Sequence, residues 1–300
     1  MGDAVTTRVD ETRCTGCGLC VDVCPLNVLT LENGKAKVTG DRSIQCGHCE
    51  AICPAKAIKV EALDDMAFAF STLPDDDRWL PFGEFDAAAL VRLMRSRRSC
   101  RQFLGTAVSR EILEDLVKIG TAAPSGSNSQ LWTFTILPTR ESVVRLGNEI
   151  GRFFIRLNRM AGKTWLRFLL RLVGKRELET YYRKYYRSIE RQIEAWEKSG
   201  RDRLFHHATA VILVGSKPGG STPSEDALLA TGNILLAAHA MGLGTCLIGY
   251  AVAAMRRDPS IQVQLGIPAD ETLYAAIALG YPNQTFQRSA GRRQAVVRFA

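Results

Sequence analysis

Apolar positions along this 300-residue chain recur with two different periods. Leu178, Tyr182, Tyr185, Ile189, Ile193 and Trp196 return at steps of three and four, which is one face of a helix, and Gly200 supplies its stop. Upstream, Phe154, Leu157, Trp165, Phe168, Leu169 and Leu172 mark another helical stretch with arginines interleaved. Short apolar runs bounded by turn residues predict strands over Leu131–Leu137, Thr209–Val214, Thr245–Gly249, Leu273–Leu279 and Ala295–Phe299. The most apolar stretch, 227–255, contains Asn233, His239 and several glycines. It reads as a buried helix (Ala227–Met241), a turn and a strand, rather than a membrane span. Near the start, Val28–Glu32 and Ala36–Thr39 flank Asn33-Gly34, the pattern of a two-residue β-hairpin.

Composition is that of a globular chain, 46% hydrophobic and 23% charged, with a length that suits one large domain and one small one. The net charge of +8 is concentrated. Between Gly151 and Phe205 there are fifteen Lys and Arg against six Asp and Glu, whereas Glu61–Asp86 holds eight acidic residues and one arginine. The expected organisation is a first domain over 1–60, an acidic connector over 61–90 and a second domain over 91–300. Residues 151–205 then form a basic helical insertion. Three readings of that insertion follow: a helical hairpin closing over a site as a lid, a dock for an acidic electron donor, or a peripheral membrane contact in which Trp, Leu and Arg alternate. Nothing favours nucleic acid.

Seven of the nine cysteines fall between Cys14 and Cys53. The opening MGDAVTTRVDETRC lacks the apolar run of a secretory signal, so a reducing cytoplasmic setting is expected, where thiols bind metal instead of pairing. Cys14-x2-Cys17-x2-Cys20-x3-Cys24-Pro25 has the spacing of a bacterial ferredoxin run for a [4Fe–4S] cluster, and the four-cysteine set with its proline disfavours structural zinc. The fourth cysteine of such a run is expected to start a short helix. A second run, Ser43-x2-Cys46-x2-Cys49-x3-Cys53-Pro54, repeats the first with serine in the leading position. In the two-cluster plan the fourth cysteines cross over. Cluster one would take Cys14, Cys17, Cys20 and Cys53; cluster two would take Cys24, Cys46, Cys49 and a replacement for the missing thiolate. Ser43 ligation, a [3Fe–4S] cluster, and a [4Fe–4S] cluster with water or a small ligand on one iron stay open. His48 lies inside the second loop and reads as a solvent-facing residue.

Past the connector, Arg97, Arg98, Ser99 and Arg101 bring three guanidinium forks and a hydroxyl together, a set suited to phosphate oxygens. Ala123-Pro124-Ser125-Gly126-Ser127-Asn128-Ser129-Gln130-Leu131-Trp132 then enters a strand, and Gly242-Leu243-Gly244-Thr245-Cys246-Leu247-Ile248-Gly249-Tyr250 follows the buried helix. Taken in this order, these motifs resemble the nitroreductase family of FMN enzymes over most of Val91–Ala300. The resemblance implies an α+β fold, an α/β sandwich around a mostly antiparallel sheet, in an intertwined homodimer with two flavin sites. It implies that Arg97, Arg98, Ser99 and Arg101 hold the FMN phosphate and ribityl chain. Pro124, Ser125, Gly126 and Asn128 would reach the flavin from the partner subunit. Ile248, Gly249 and Tyr250 would place backbone near flavin N5, and Arg292 and Arg293 would supply a late basic pair near the phosphate.

No catalytic side chain is then required, because the flavin carries the chemistry. No Ser-His-Asp arrangement is evident, and His206, His207 and His239 lack placed partners. Cys100 and Cys246 read as buried thiols. There is no G-x-G-x-x-G at a strand–helix junction and no P-loop. The expected activity passes electrons from an external donor, a ferredoxin or a nicotinamide, through iron–sulfur clusters to FMN. A small acceptor such as a nitro compound, quinone or activated alkene takes them. The alternative is an electron carrier that relays to a partner protein without small-molecule turnover.

Overall fold

In the computed structural model, which describes residues 2–300, the cysteine-rich end is laid out as two copies of one pattern. Asp3–Ala4 (β1) and Thr7–Val9 (β2) precede a helical turn, Leu19–Asp22 (α1), and the hairpin of Leu29–Glu32 (β3) and Lys35–Val38 (β4). Arg42–Ser43 (β5), a second helical turn His48–Ala51 (α2) and Ile58–Val60 (β6) complete it. β2 pairs antiparallel with β6, and β1 with β5, so each end of the module closes on itself. Asn33 and Gly34 take φ of 50° and 73°, the left-handed pair that a tight hairpin needs. The repeat reaches the backbone. Gly18 and Gly47 cap α1 and α2 at φ 81° and 75°, and Asn27 and Lys56 stand at φ 53° and 47°.

One expectation is corrected here. The short helices carry the third position of each run, Cys20 or Cys49, and do not start at the fourth, Cys24 or Cys53. Pro25 and Pro54 disfavour helical backbone at the residue before them. Cys24 and Cys53 instead close turns, their carbonyls accepting from Asn27 N at 3.3 Å and Lys56 N at 3.1 Å.

The acidic connector is mostly irregular, with one 3₁₀ turn at Asp65–Phe68 capped by Asp64. It is pinned to the second domain by Asp115, a fully buried carboxylate on Arg110–Thr121. Ser71 N donates to it at 3.0 Å, and Thr72 N and Thr72 Oγ1 each at 2.7 Å. Burial pushes this carboxyl up, but these donors, with Lys118, hold it below the ordinary carboxylate range.

The second domain runs through Ala87–Ser96 (α3), Arg110–Thr121 (α4), Trp132–Leu137 (β7), Arg140–Ala161 (α5), Thr164–Leu172 (α6), Glu177–Tyr181 (α7) and Arg187–Ser199 (α8). It continues with Ala210–Ser216 (β8), Pro223–Ala240 (α9), Gly244–Leu247 (β9), Gly249–Arg257 (α10), Ser260–Val263 (α11) and Thr272–Gly280 (β10). The four long strands form one antiparallel sheet in the order β7-β8-β10-β9. Every residue of β8 is buried, and its alternation builds two cores. Val211 and Leu213 pack with Phe154 of α5 and Ala251 of α10; Ile212 and Val214 pack with Leu116 of α4 and Ile234 of α9. A capping box at Thr139 and Ser142 starts α5, and Gly200 at φ 63° ends α8 as its sequence position required.

The insertion departs from a simple hairpin. Between α7 and α8 lies a π-helical turn, Tyr182–Tyr186, which widens the helix and turns successive tyrosines to different sides. Two strand expectations also change. The strand expected over Thr245–Gly249 ends at Leu247, and Gly249 and Tyr250 open α10. Ala295–Phe299 is no strand within this chain: Val296, Val297 and Phe299 are exposed and find no ladder. The outer edge of β9 is already occupied by Ser99 and Cys100, with Cys100 N donating to Thr245 O at 2.8 Å. Among the described residues no helix is long and apolar enough to cross a membrane.

Candidate functional site

Two hollows in the N-terminal module sort the thiols by hollow rather than by run. The first is lined by Cys14, Cys17 and Cys20 together with Cys53 of the second run. The second is lined by Cys46 and Cys49 together with Cys24 of the first run, and by Ser43 and His48. Each set rings a space instead of converging on a point. Among the described residues, no three His, Cys, Asp or Glu side chains approach closely enough to hold a single metal ion. Four ligands placed around a hollow are what a multi-iron cube would use.

Backbone amides point at the sulfurs. Val28 N donates to Cys24 Sγ at 3.3 Å, Ala57 N to Cys53 Sγ at 3.3 Å and Ala36 N to Cys14 Sγ at 3.4 Å. The amides of Ala36 and Gly16 draw the Cys14 thiol down, whereas burial pushes Cys49 up to about 11. Ser43 is buried, and its Oγ accepts from Gln45 N at 2.9 Å. It lines the second hollow as Cys14 lines the first, with oxygen where the repeat calls for sulfur. Ser43→Cys is therefore expected to raise bound iron and sulfide, or to convert a three-iron EPR signal into a four-iron one. Unchanged metal content with an unchanged spectrum would count against an atypical second cluster.

In the second domain, a cleft of about 1640 Å³ opens beside β9 and under the α7–α8 insertion. Arg101, Ile248, Gly249 and Tyr250 line it, as does Cys246. The basic segment reaches this place because its backbone runs along β9 and then crosses to the end of β10, where Leu104 N donates to Tyr281 O at 2.8 Å and Asn283 N to Gln102 O at 2.8 Å. Gly244 is required for the approach, since a Cβ there would stand 2.7 Å from that of Cys100. Burial raises the Cys246 thiol against the opposing pull of Arg101, Ser99 and Arg97, which places all three near it. Arg97, Arg98, Arg101, Arg292 and Arg293 meet no carboxylate among the described residues. Burial depresses the Arg98 guanidinium, with Arg292 and Arg97 adding repulsion; its Nη2 donates to Ala290 O at 2.8 Å. Like charges gathered without a counter-ion are the donor set of an anion site. Gly249 and Tyr250, the first two residues of α10, line the same cleft.

Pro124, Ser125, Gly126 and Asn128 lie elsewhere, before β7 at the opposite edge of the sheet, and do not line this cleft. Gly126 N donates to the buried Asp226 at 2.9 Å, and a Cβ on Gly126 would sit 2.1 Å from Thr222 Oγ1. Asn128, at φ 54°, donates through Nδ2 to the carbonyls of Ile44 and Gln45, both at 3.0 Å. Those carbonyls belong to the loop of the second hollow, so this asparagine ties the two domains together.

Several cleft residues escaped the sequence reading. Phe154, Tyr181, Tyr185, His206 and Arg257 come from four separate stretches of chain. Tyr185 had been visible as part of an apolar helical stripe, but it faces a cavity while Ile189 of the same stripe enters the core. His206 and His207 stand in succession at φ 56° and 63°, a backbone strain that no sequence signal announced. The His206 imidazole is drawn down by burial and by Arg101.

A sequence model described as the nitroreductase family matches residues 94–281, and one described as a 4Fe-4S binding domain matches residues 7–30. An iodotyrosine deiodinase from Daphnia pulex is 25% identical over 194 residues, which is 64% of this chain and 58% of that protein. A 4-nitrobenzoate reductase from Nocardioides sp. (strain LMS-CY) is 27% identical over 210 residues, 64% of this chain and 80% of that protein. The crystal structure of a nitroreductase with bound FMN from Bacteroides fragilis NCTC 9343 superposes with a TM-score of 0.51 at 19% identity, covering 70% of this chain and 98% of that one. That likeness concerns the fold.

Proposed function

Because this chain belongs to the nitroreductase family, whose model covers more than half of it, we propose that it is an iron–sulfur flavoprotein oxidoreductase that delivers electrons from an external donor to a small electrophile. One observation carries the reading: a single chain holds both a four-thiol hollow and a cleft edged by uncompensated arginines, joined through Asn128. FMN, when bound, would collect single electrons from the clusters and release them in pairs to the acceptor.

The residues divide the work. Arg97, Arg98, Ser99 and Arg101 hold the phosphate and its chain, with Arg292 beside Arg98 and Arg293 next to it in sequence. Ile248, Gly249 and Tyr250 shape the floor. The α7–α8 insertion covers the cleft and keeps water from the reacting face. Cys14, Cys17, Cys20 and Cys53 hold one [4Fe–4S] cluster; Cys24, Cys46, Cys49 and Ser43 hold a second, atypical one. Pro124, Ser125, Gly126 and Asn128 are assigned to the partner's site in a homodimer. Two exposed apolar surfaces support a dimer: Leu90, Val91 and Met94 on α3, and the unpaired tail with Val296, Val297 and Phe299. Domain limits of 1–60, 61–90 and 91–300 agree with this division of labour. Peripheral membrane contact is supported by α6, where Trp165, Phe168, Leu169 and Leu172 are exposed beside Arg171.

The test is anaerobic purification with FMN, iron and sulfide quantified, followed by flavin bleaching with NADH, NADPH and a reduced ferredoxin on the same sample. Fast bleaching by ferredoxin is expected. Fast bleaching by a nicotinamide alone would reassign the donor, and absence of flavin would overturn the reading.

A further inference from the structure

The cleft holds more positive charge than a cofactor phosphate calls for. Besides Arg101, it is lined by Arg176 and Arg191 from the insertion, Arg201 and Arg203 from the loop behind α8, and Arg257 from the last turn of α10. Among the described residues none of these five meets a carboxylate. Arg176, Arg201, Arg203 and Arg257 also make no side-chain hydrogen bond, and Arg191 reaches only the Arg187 carbonyl. Two acidic side chains line the cleft, Glu177 and Asp202. Asp202 is already spent inside the protein: Arg140 Nη1 donates to it at 2.8 Å, as do Phe205 N at 2.8 Å and Leu204 N at 3.0 Å. The mouth is thus cationic with a single free carboxylate, although Arg and Glu alternate freely on the outer faces of α7 and α8, where Arg183 pairs with Glu179 and Lys198 with Glu194. Outside the cleft several of the insertion's charges are paired, whereas the arginines that line the cleft are not.

The inner wall is aromatic. Tyr250 stands edge-on to Phe154, with ring centroids 5.7 Å apart at 89°, and edge-on to Tyr185 at 6.4 Å and 89°. Tyr185 comes from the π-helical turn and lines the cleft, so the widened turn delivers this ring. The space is also too large for one molecule. Single-ligand sites run to about 300–1,000 Å³, and this cleft measures about 1640 Å³.

We infer that the acceptor is an anionic aromatic, a planar ring carrying a carboxylate, with the ring against Tyr185 and Tyr250 and the carboxylate among the arginines of the mouth. The inference rests on the reading of the cleft as a redox site and names its substrate class. Arginine suits the role because its fork binds carboxylate in two places and is weakly hydrated. A cationic mouth over low-dielectric walls also concentrates anions before contact.

The experiment compares 4-nitrobenzoate with its methyl ester, which keeps the ring and the reducible group and removes the charge. Reduced ferredoxin supplies electrons in both cases. Conversion of nitro to nitroso takes two electrons and two protons and releases one water. Several exposed cation–carboxylate contacts acting together are expected to favour the acid in kcat/KM by about tenfold, and the preference should shrink as salt rises. Arg176→Gln with Arg203→Gln should reduce that preference, acting through KM. Equal turnover, or a preference for the ester, overturns the inference. Equilibrium dialysis of the purified protein with 4-nitrobenzoate and with 4-nitrobenzamide gives a readout free of turnover. Tighter retention of the acid without any reduction supports binding of anionic aromatics in this cleft, while the redox reading, and with it the assignment of that ligand as acceptor, is overturned. Equal retention of acid and amide sinks it.

Discussion

The double variant Arg97→Ala, Arg101→Ala purifies without flavin. Both side chains lie on the segment that runs alongside β9, and Arg101 lines the cleft while Arg97 sits near Cys246. Neither meets a carboxylate in the protein, so neither is needed to balance an internal charge. A hydrogen bond to a charged group contributes about 1.5–3 kcal/mol. Loss of two therefore weakens FMN binding by roughly 10²- to 10⁴-fold, less if the two act on one phosphate oxygen and overlap. The measurement is flavin released on denaturation, with a fluorescence titration of added FMN. Arg110→Ala is the control, because Arg110 is exposed and paired with Glu114 on the far side of the charge ledger. Full flavin content in the double variant would move the phosphate site elsewhere.

Cys53→Ser removes the cluster of the opposite run. Cys53 follows Cys46 and Cys49 in sequence but lines the hollow of Cys14, Cys17 and Cys20. Its loss is expected to lower iron and sulfide by about half and to abolish the four-iron signal, leaving the second cluster's spectrum in place. Cys24→Ser should do the reverse. Cys46→Ser is the informative companion, since it shares a run with Cys53 and a hollow with Cys24. If Cys46→Ser and Cys53→Ser remove the same EPR signal, the crossover is wrong. The effect should reach stability too. The module's own apolar core is small, built on Cys20, Leu29, Ala36 and Ile58, and ligand bonds that cross between runs hold together what that core cannot.

Much of this was legible because the signals were local. Two cysteine runs with fixed spacing specify their own loops, and Asn33-Gly34 admits few backbones other than a tight turn. Gly200 ends a helix by the same logic. In β8, a short apolar run specified a strand, Thr209–Val214, close to the observed Ala210–Ser216. Each of these needs only a few neighbouring residues and their backbone preferences.

The failures share a cause as well. Ala295–Phe299 reads as a strand by composition, but a strand needs an edge, and the edge at β9 had been taken by Ser99 and Cys100. Gly249 read as strand and became helix, because Ile248 makes the last bond to β10, with its N–H donating to Ala276 O at 2.8 Å. The stripe of Leu178, Tyr182, Tyr185 and Ile189 has helical spacing, but spacing cannot say whether a stripe meets a core or a cavity. The π turn then splits it, sending Ile189 into the core and Tyr185 to the cleft.

The sequence by itself determined the ligand types, their spacing, the order of elements and where the charge lies, since all of these are set along the chain. Only the tertiary structure decided which arginines go without a partner, that Tyr185 faces a cleft, and that Asn128 holds the loop of the second hollow. Those are relations between residues far apart in sequence. They follow from how strands pair and helices pack, and the chain's local preferences do not contain them.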